Sequence, residues 1–236
     1  MNAEINAKKI NNMLKSAKLN KAFDNYKIII NKNLPYKFSY LDEWIYKNSN
    51  LLLNEAENIV QKYKTYKRGT IIKVDFGVNI GSEMSQVHFA IVLSKSDNPR
   101  NNVLTVLPLT SKKGRFNICL DALIANKLLE KLKFERKKLE KIISDTNSKD
   151  SNIEKAKNKQ YIINFQINKL KFLAKYYKKS LKTTYGCANL ITTISKARLL
   201  NPINEYDIIG KTICPDEVLN TIDNEIIQKF TNFQKN

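Results

Sequence analysis

The residues best suited to phosphate chemistry are a single histidine, His88, and a hydroxyl-rich basic segment downstream of it. A histidine near its reference pKa of about 6.5 exchanges protons at neutral pH, and its protonated ring can donate to a phosphate. The downstream segment contains Thr110, Ser111, Lys112, Lys113 and Arg115. Its two hydroxyls end a strand-like run, so Thr110 is expected to bind phosphate beside fixed positive charge. The alternative for His88 is structural, a ring that fills a strand end and binds the backbone.

A Gly-Ser-Glu sequence at 81–83 lies shortly before His88 and predicts a turn. In this turn Ser82 can donate to a phosphate, and Glu83 can orient His88 or accept from a ligand. The same residues could equally do no more than shape the turn. Further candidates for phosphate contact are the basic and hydroxyl residues Arg68, Ser195, Lys196 and Arg198.

The sequence predicts no metal site and no cofactor. Three widely spaced cysteines and one histidine do not supply the four closely spaced ligands of structural zinc. No apolar run is long enough to cross a bilayer, and the first residues lack the layout of an export signal. We therefore expect a cytoplasmic protein without membrane contact.

The formal charge of +19 favours a polyanionic partner, because lysine and arginine bind phosphates and release counterions. The charge is concentrated in the middle of the chain. Residues 121–184 contain 17 basic and 7 acidic residues, whereas 185–236 contain 5 basic and 6 acidic ones.

Short β-branched and aromatic runs, separated by Gly, Asn, Pro and Ser, begin at Arg68-Gly69. The runs lie at 70–76, 88–94, 103–109, 115–121, 187–195 and 206–213. They predict an antiparallel sheet or a small barrel. A closing helix is expected from Pro215 to about residue 233, with proline and acids in its first turn.

Two helices are predicted before the sheet, at 4–32 and 39–64, with a break at Pro35 and Ser39 as the second N-cap. Another helical segment, 122–182, lacks Gly and Pro and has apolar residues at alternating spacings of three and four. It predicts an antiparallel hairpin with a polar tip at 146–150, in which Glu135 and Gln160 share one core layer. The predicted domains are therefore 1–64, an interrupted β-domain of 65–121 and 183–236, and the inserted hairpin 122–182.

Several of these runs resemble the MazF/PemK toxin family in the family's own order. The similar segments are Arg68-Gly69 with Ile71–Phe76, Gly81–Ser94, Val106–Ser111, Thr193–Leu199 and Pro215–Phe233. The resemblance implies an α+β fold built on a small SH3-like β-barrel, usually a homodimer. It also implies a toxin that cuts single-stranded RNA without metal and is neutralised by an acidic antitoxin protein. In that chemistry the RNA 2′-hydroxyl attacks phosphorus and leaves a 2′,3′-cyclic phosphate.

Carried over to this sequence, the family's catalytic positions fall on His88, where the family has an arginine, and on Thr110. The residues expected to bind RNA are Arg68, Ser82, Glu83, Ser111, Lys112, Lys113, Arg115, Ser195, Lys196 and Arg198. Two other functions stay open at this point. One is a non-enzymatic poison of a protein target, and the other is an RNA-binding module without catalysis.

Overall fold

The computed structural model describes residues 2–32, 34, 36–59, 61–121, 123–147, 153–180 and 183–232. Pro35 and most of the predicted hairpin tip lie outside these ranges. The chain divides into two compact units, one comprising residues 1–60 and 76–86, and the other 61–75 and 87–236.

The first unit contains two helices, α1 (Asn2–Asn31) and α2 (Leu41–Ala56), with a 3-10 turn at Tyr36–Tyr40 between them. The predicted cap at Ser39 is wrong, because its hydroxyl donates to the Tyr36 carbonyl (2.7 Å) inside the 3-10 turn and α2 begins after Tyr40. The segment 76–86 passes so close to α2 that a Cβ on Gly77 would lie 2.2 Å from the Trp44 ring. With a φ of +72° at this residue, only glycine fits without strain.

The second unit is built on an antiparallel sheet of six strands, which run in the order β1-β2-β3-β5-β4, with β6 also paired to β3. The strands are β1 (Ile71–Asp75), β2 (Val87–Val92), β3 (Val103–Thr110), β4 (Asn117–Asp121), β5 (Thr184–Cys187) and β6 (Thr192–Ser195). The register pairs Ile71 with Ile91 and Ile91 with Leu107, so these alternating apolar residues share one buried face.

The fold is thus a mixture of helices and antiparallel sheet, as predicted, but the sheet of the described residues is not closed into a barrel. Within the described residues, the far edge of β1 pairs with no further strand. It is joined to the chain by isolated bridges, from the preceding Thr70 to Ile213 and from Val74 to Leu199, and by single backbone hydrogen bonds. The strand predicted at 206–213 is not formed. Its place is taken by turns in which the Asp207 carboxylate accepts from the Ile203 and Ile209 N–H groups.

Helices α3 (Leu123–Asn147) and α4 (Ile153–Ser180) connect β4 to β5 and pack against each other. Their spacing of three and four residues buries the part of the pair near the sheet. The buried residues include Leu128, Leu132, Ile163, Ile167, Leu170 and Tyr177. The predicted polar core layer is wrong, because Gln160 is exposed and Glu135 pairs with Lys138 on its own helix (2.9 Å).

Helix α5 (Asp216–Phe230) follows Pro215, which is its N-cap, and has Asp216 and Glu217 in its first turn. Two of its residues, Val218 and Ile222, enter the same core as the sheet and the α3–α4 pair. Within the described residues, no helix is long and apolar enough to cross a membrane.

Candidate active site

The His88 ring is half-buried on β2, and its Nδ1 lies 3.0 Å from the Leu109 carbonyl oxygen on β3. A carbonyl oxygen only accepts, so this contact assigns the hydrogen to Nδ1. The neutral ring therefore has an unprotonated Nε2. Such a ring is prepared to take a proton from a hydroxyl.

The surroundings of His88 favour this neutral form at pH 7. Burial lowers the pKa of the ring and is the largest effect, the hydrogen bond to Leu109 raises it, and the positive charge of Lys112 lowers it again. The net result is a pKa below the ordinary value of 6.5. His88 is thus electrostatically suited to act as a general base.

A cavity of about 330 Å³ surrounds His88 and is rich in hydroxyl groups. It is lined by Lys73, Val87, His88, Phe89, Leu109, Thr110, Ser111, Tyr176, Ser180 and Thr184. The sheet contributes residues from β1, β2, β3 and β5, and α4 contributes the last turns of the helix. The cavity therefore combines one proton acceptor, several hydroxyl donors and a lysine, which is a combination suited to a phosphodiester.

Thr110 is the last residue of β3, and its Oγ1 accepts from the Lys112 backbone N–H at 3.2 Å. Accepting this bond leaves the hydroxyl hydrogen able to point at another acceptor, such as a phosphate oxygen. If the register that pairs Ala90 with Pro108 continued, His88 would lie opposite Thr110. The structure thus brings together the two residues that the sequence predicted to be catalytic.

The predicted basic residues lie on the exposed loop that follows β3. Ser111, Lys112, Lys113 and Arg115 are all exposed, and Arg115 lies over the Phe116 ring at 5.5 Å. Asn117 braces the loop by donating from its side chain to the Lys112 carbonyl (3.1 Å). Of these residues Ser111 lines the cavity, while Lys112 acts on His88 through its charge.

The structure does not bring Arg68 to this cavity. Its guanidinium donates to the Leu93 carbonyl (2.6 Å) and forms an ion pair with Asp223 of α5. These contacts join the start of β1 to the closing helix.

The segment 195–198 has structural contacts in place of a surface for RNA. The Ser195 hydroxyl accepts from the Ala197 N–H (3.2 Å), and Arg198 donates from Nε to the Asp75 carbonyl (3.0 Å). Lys196 is buried and forms an ion pair with Asp97 at 2.8 Å. A surface loop and an internal brace look alike in sequence, and only the packing distinguishes them.

Ser82 and Glu83 belong to the first unit and are exposed there. Their turn is held by the Asn79 side chain, which donates to the carbonyls of Phe76 (3.0 Å) and Met84 (2.7 Å). Lys37 adds a bond from Nζ to the Gly81 carbonyl (2.8 Å). The turn is therefore well braced, with both candidate side chains directed to solvent.

Four polar lining residues were not among the candidates of the sequence analysis, namely Lys73, Tyr176, Ser180 and Thr184. Tyr176 packs against Phe89 (6.3 Å between ring centroids), and Lys73 lies over the Tyr176 ring at 5.2 Å. The neighbouring Tyr177 is fully buried, packs against Phe89 of β2 and donates to Asp207, so the end of α4 is attached both to the sheet and to the turns around Asp207. Periodicity assigned Tyr177 to the core, but nothing in the sequence connected Tyr176 with His88.

Among the described residues, no cluster of three or more histidine, cysteine, aspartate or glutamate side chains could hold a metal ion. The two buried cysteines are chemically quiet, because burial raises the pKa of Cys187 to about 11 and that of Cys214 to about 12. The polar groups at the cavity are those of His88, of several hydroxyl side chains and of two lysines, Lys73 in the lining and Lys112 nearby.

Comparison with known proteins gives one family match. Residues 67–145 match the family described as PemK-like, MazF-like toxin of type II toxin-antitoxin system. No curated protein matches the chain. The matched segment is about a third of the chain and extends from β1 into α3, so it contains both His88 and Thr110, whereas α4 lies beyond it. The resemblance seen in the sequence is thus confirmed over residues 67–145.

Proposed function

We propose that the chain is the toxin of a toxin–antitoxin pair and cuts single-stranded RNA without a metal. The observation that carries this proposal is the His88 ring, whose Nδ1 is bonded to the Leu109 carbonyl and which lines the same cavity as Thr110. A histidine that served only to fill a strand end would not need a cavity lined with hydroxyls.

In the proposed reaction, His88 Nε2 takes the proton of a ribose 2′-hydroxyl, and the 2′-oxygen attacks the adjacent phosphorus. The hydroxyls of Thr110 and Ser111 donate to the crowded phosphorane, whose charge is also offset by Lys112. The bond to the 5′-oxygen breaks, and we assign the proton that this oxygen needs to the Lys73 ammonium. The products are a 2′,3′-cyclic phosphate and a 5′-hydroxyl.

The family resemblance supports the remaining parts of the proposal. They are a β-domain with an SH3-like arrangement, a homodimer, a cytoplasmic site of action and neutralisation by an acidic antitoxin. The positive charge of the whole chain, +19, suits both an RNA substrate and an acidic inhibitor.

The test is cleavage of end-labelled single-stranded RNA by purified protein in excess chelator, with the new ends identified chemically. His88→Ala is expected to lower the rate by roughly 10²-fold or more, the usual scale for an acid–base group. The matched variant is His88→Asn, whose amide nitrogen can keep the bond to Leu109 while no group remains at the Nε2 position. It should be as inactive as the alanine variant, yet fold like the parent.

Four outcomes would contradict the proposal in different ways. Full activity of His88→Asn would remove the histidine from the mechanism. A requirement for added divalent metal would refute the reaction as written. Binding of RNA without any cleavage would indicate a module that only binds RNA, and growth arrest without RNA cleavage or binding would indicate a poison of a protein target.

A further inference from the structure

Helix α4 exposes three aromatic side chains on one face. Tyr161, Phe165 and Phe172 have 75%, 55% and 57% of their surface exposed. At about 100° per residue, the spacings of four and seven place all three within an arc of about 40°. The face that packs on α3 and the sheet is a different one and carries Ile163, Ile167 and Leu170. The exposed rings therefore have no role in the core of this unit.

The same helix is strongly basic. Its residues Ile153–Ser180 include eight lysines and one glutamate, a formal charge of +7. The helical spacing places Lys157, Lys175 and Lys179 within about 60° of the line of aromatic rings. Lys169 lies over the Phe165 ring, 4.8 Å from its centroid, and its ammonium is paired with the Glu205 carboxylate (2.7 Å). Aromatic faces and positive charges are thus interleaved along one exposed surface.

This surface leads to the candidate active site. Tyr176 follows Phe172 by one helical turn, and both Tyr176 and Ser180 line the cavity around His88. At 1.5 Å per residue, the line from Tyr161 to Tyr176 is roughly 22 Å long. That length corresponds to roughly four nucleotides of an extended single strand at the 6 Å or so that the RNA backbone spans per nucleotide.

We propose that this α4 face binds the single-stranded RNA that flanks the cleaved phosphodiester, with bases stacked on the aromatic rings and phosphates bound by the lysines. The inference rests on the proposed function for its continuity with the cavity. Stacking on aromatic residues beside positive charge is the general way in which proteins hold single strands without reading their sequence. The charge of +7 disfavours a second copy of the same face, because like charges would meet across such an interface.

The α4 helix lies outside the segment that matches the toxin family. The proposed surface is therefore a property of this chain's own helical insertion. It would lengthen the RNA footprint on one side of the cut and make affinity depend on substrate length.

The experiment compares the double variants Phe165→Ala/Phe172→Ala and Phe165→Leu/Phe172→Leu with the parent. The binding probe is a fluorescent 20-nucleotide RNA with 2′-O-methyl groups, which cannot be cut because the nucleophile is blocked. Loss of one stacked base lowers affinity about fivefold or more, so each double variant should bind at least about 20-fold more weakly. Both should still cut a dinucleotide at the parental rate, because that substrate has one nucleotide on each side of the cut and does not extend past the cavity to the two rings.

The leucine variant distinguishes stacking from apolar docking, since leucine is apolar but has no ring face. Phe230→Ala, a change to an equally exposed ring on α5, is the matched control and should bind normally. Lys175→Gln/Lys179→Gln should reduce the slope of log affinity against log salt by about 1.4, which is two phosphate contacts on a single strand. Far-UV circular dichroism verifies that every variant keeps its helices.

Parental binding by the alanine variant, or full rescue by leucine, would overturn the proposal and favour a protein partner such as an acidic peptide. The outcome is separable from the proposed function. A protein that binds the 2′-O-methyl probe through these rings, yet never cuts ordinary RNA, would retain the RNA-binding face and lose the nuclease. A protein that cuts RNA but binds the probe equally well without the two rings would retain the proposed nuclease and lose the proposed RNA-binding face.

Discussion

Replacement of the Lys196 side chain should lower the free energy of unfolding of the β-domain and leave RNA binding unchanged. The ammonium of Lys196 is fully buried and donates to the Asp97 carboxylate (2.8 Å) and to the carbonyls of Lys64 (3.1 Å) and Asn98 (3.3 Å). An ammonium has three hydrogens, and all three are used. Lys196 therefore has no donor to spare for a phosphate.

The free energy lost when one member of this ion pair is replaced depends on which polar groups then stay buried without a partner. Removal of one member of a buried ion pair costs about 3–5 kcal/mol. In Lys196→Met, the Asp97 carboxylate keeps N–H donors from Tyr66 (2.8 Å), Asn98 (2.9 Å) and Asn101 (3.2 Å), so the loss should be near 3 kcal/mol. In Asp97→Leu, the three N–H donors lose their acceptor, and the buried ammonium keeps two carbonyls but no opposite charge, so the loss should approach about 5 kcal/mol.

Thermal unfolding monitored by circular dichroism measures the effect. For a domain of this size, 1 kcal/mol lowers Tm by about 2–4 °C, so Lys196→Met should lower it by roughly 6–12 °C and Asp97→Leu by roughly 10–20 °C. The control is Lys113→Met, an exposed lysine of the loop after β3, which should change Tm by little.

The pH dependence gives a second reading of the same pair. Burial alone would raise the pKa of Asp97, but the hydrogen bonds from Lys196, Tyr66 and Asn98 outweigh it and hold the pKa below 3.8. Because the folded pKa is depressed, the stabilisation is present above the unfolded value near 4 and is lost as pH falls through the folded value. The reasoning is refuted if Lys196→Met keeps the parental Tm and instead weakens RNA binding.

The remaining predictions concern the candidate active site. The acidic limb of the pH–rate profile should lie below pH 6.5, because burial lowers the pKa of His88, and Lys112→Met should move it upward while Lys113→Met leaves it in place; an unmoved limb in both variants would contradict the electrostatic argument. Expression of the parent should arrest bacterial growth, and His88→Asn with Thr110→Ala should relieve it, so arrest by the double variant would indicate a poison that does not cut RNA. Lys73→Arg keeps the charge but not the acidity, so it should slow cleavage of an ordinary 5′-oxygen leaving group and spare a 5′-thio substrate, and equal slowing of both would limit Lys73 to binding.

The order of elements could be predicted from the sequence because each depends on local periodicity. Alternating apolar residues identified β1, β2 and β3 to within two residues, and spacings of three and four identified both helices of the hairpin. The prediction of a strand at 206–213 was wrong because the Asp207 carboxylate holds this segment in a turn. The spacing of apolar residues does not reveal such a side-chain contact. The polar layer failed because heptad positions near the end of the hairpin lie beyond the part of the core that the sheet covers.

The candidate site was predictable where its residues follow one another in a strand and its loop. His88 and Thr110 belong to neighbouring strands of the segment that resembles the family. The sequence motif and the strand pairing therefore both place these two residues at the same cavity. Arg68 and Lys196 were assigned to RNA because they are basic, and their acidic partners, Asp223 and Asp97, are distant in sequence. Charge is visible in a sequence, but its neutralisation by a partner across the fold is not.

Tyr176 shows why the missed part of the site also bears on its function. The ring closes the cavity opposite residues of the matched family segment, although α4 itself lies outside that segment. It is held there by Phe89 on one side and by the anchor of Tyr177 on Asp207 on the other. Helix α4 is fixed to the sheet at the cavity and is basic along its outer face. An RNA strand bound on this face would therefore lie at a fixed distance from the cavity. The proposed RNA-binding face of α4 thus begins at the cavity that contains His88. We therefore expect the aromatic rings of this face, and not charge alone, to determine which RNA length the protein prefers.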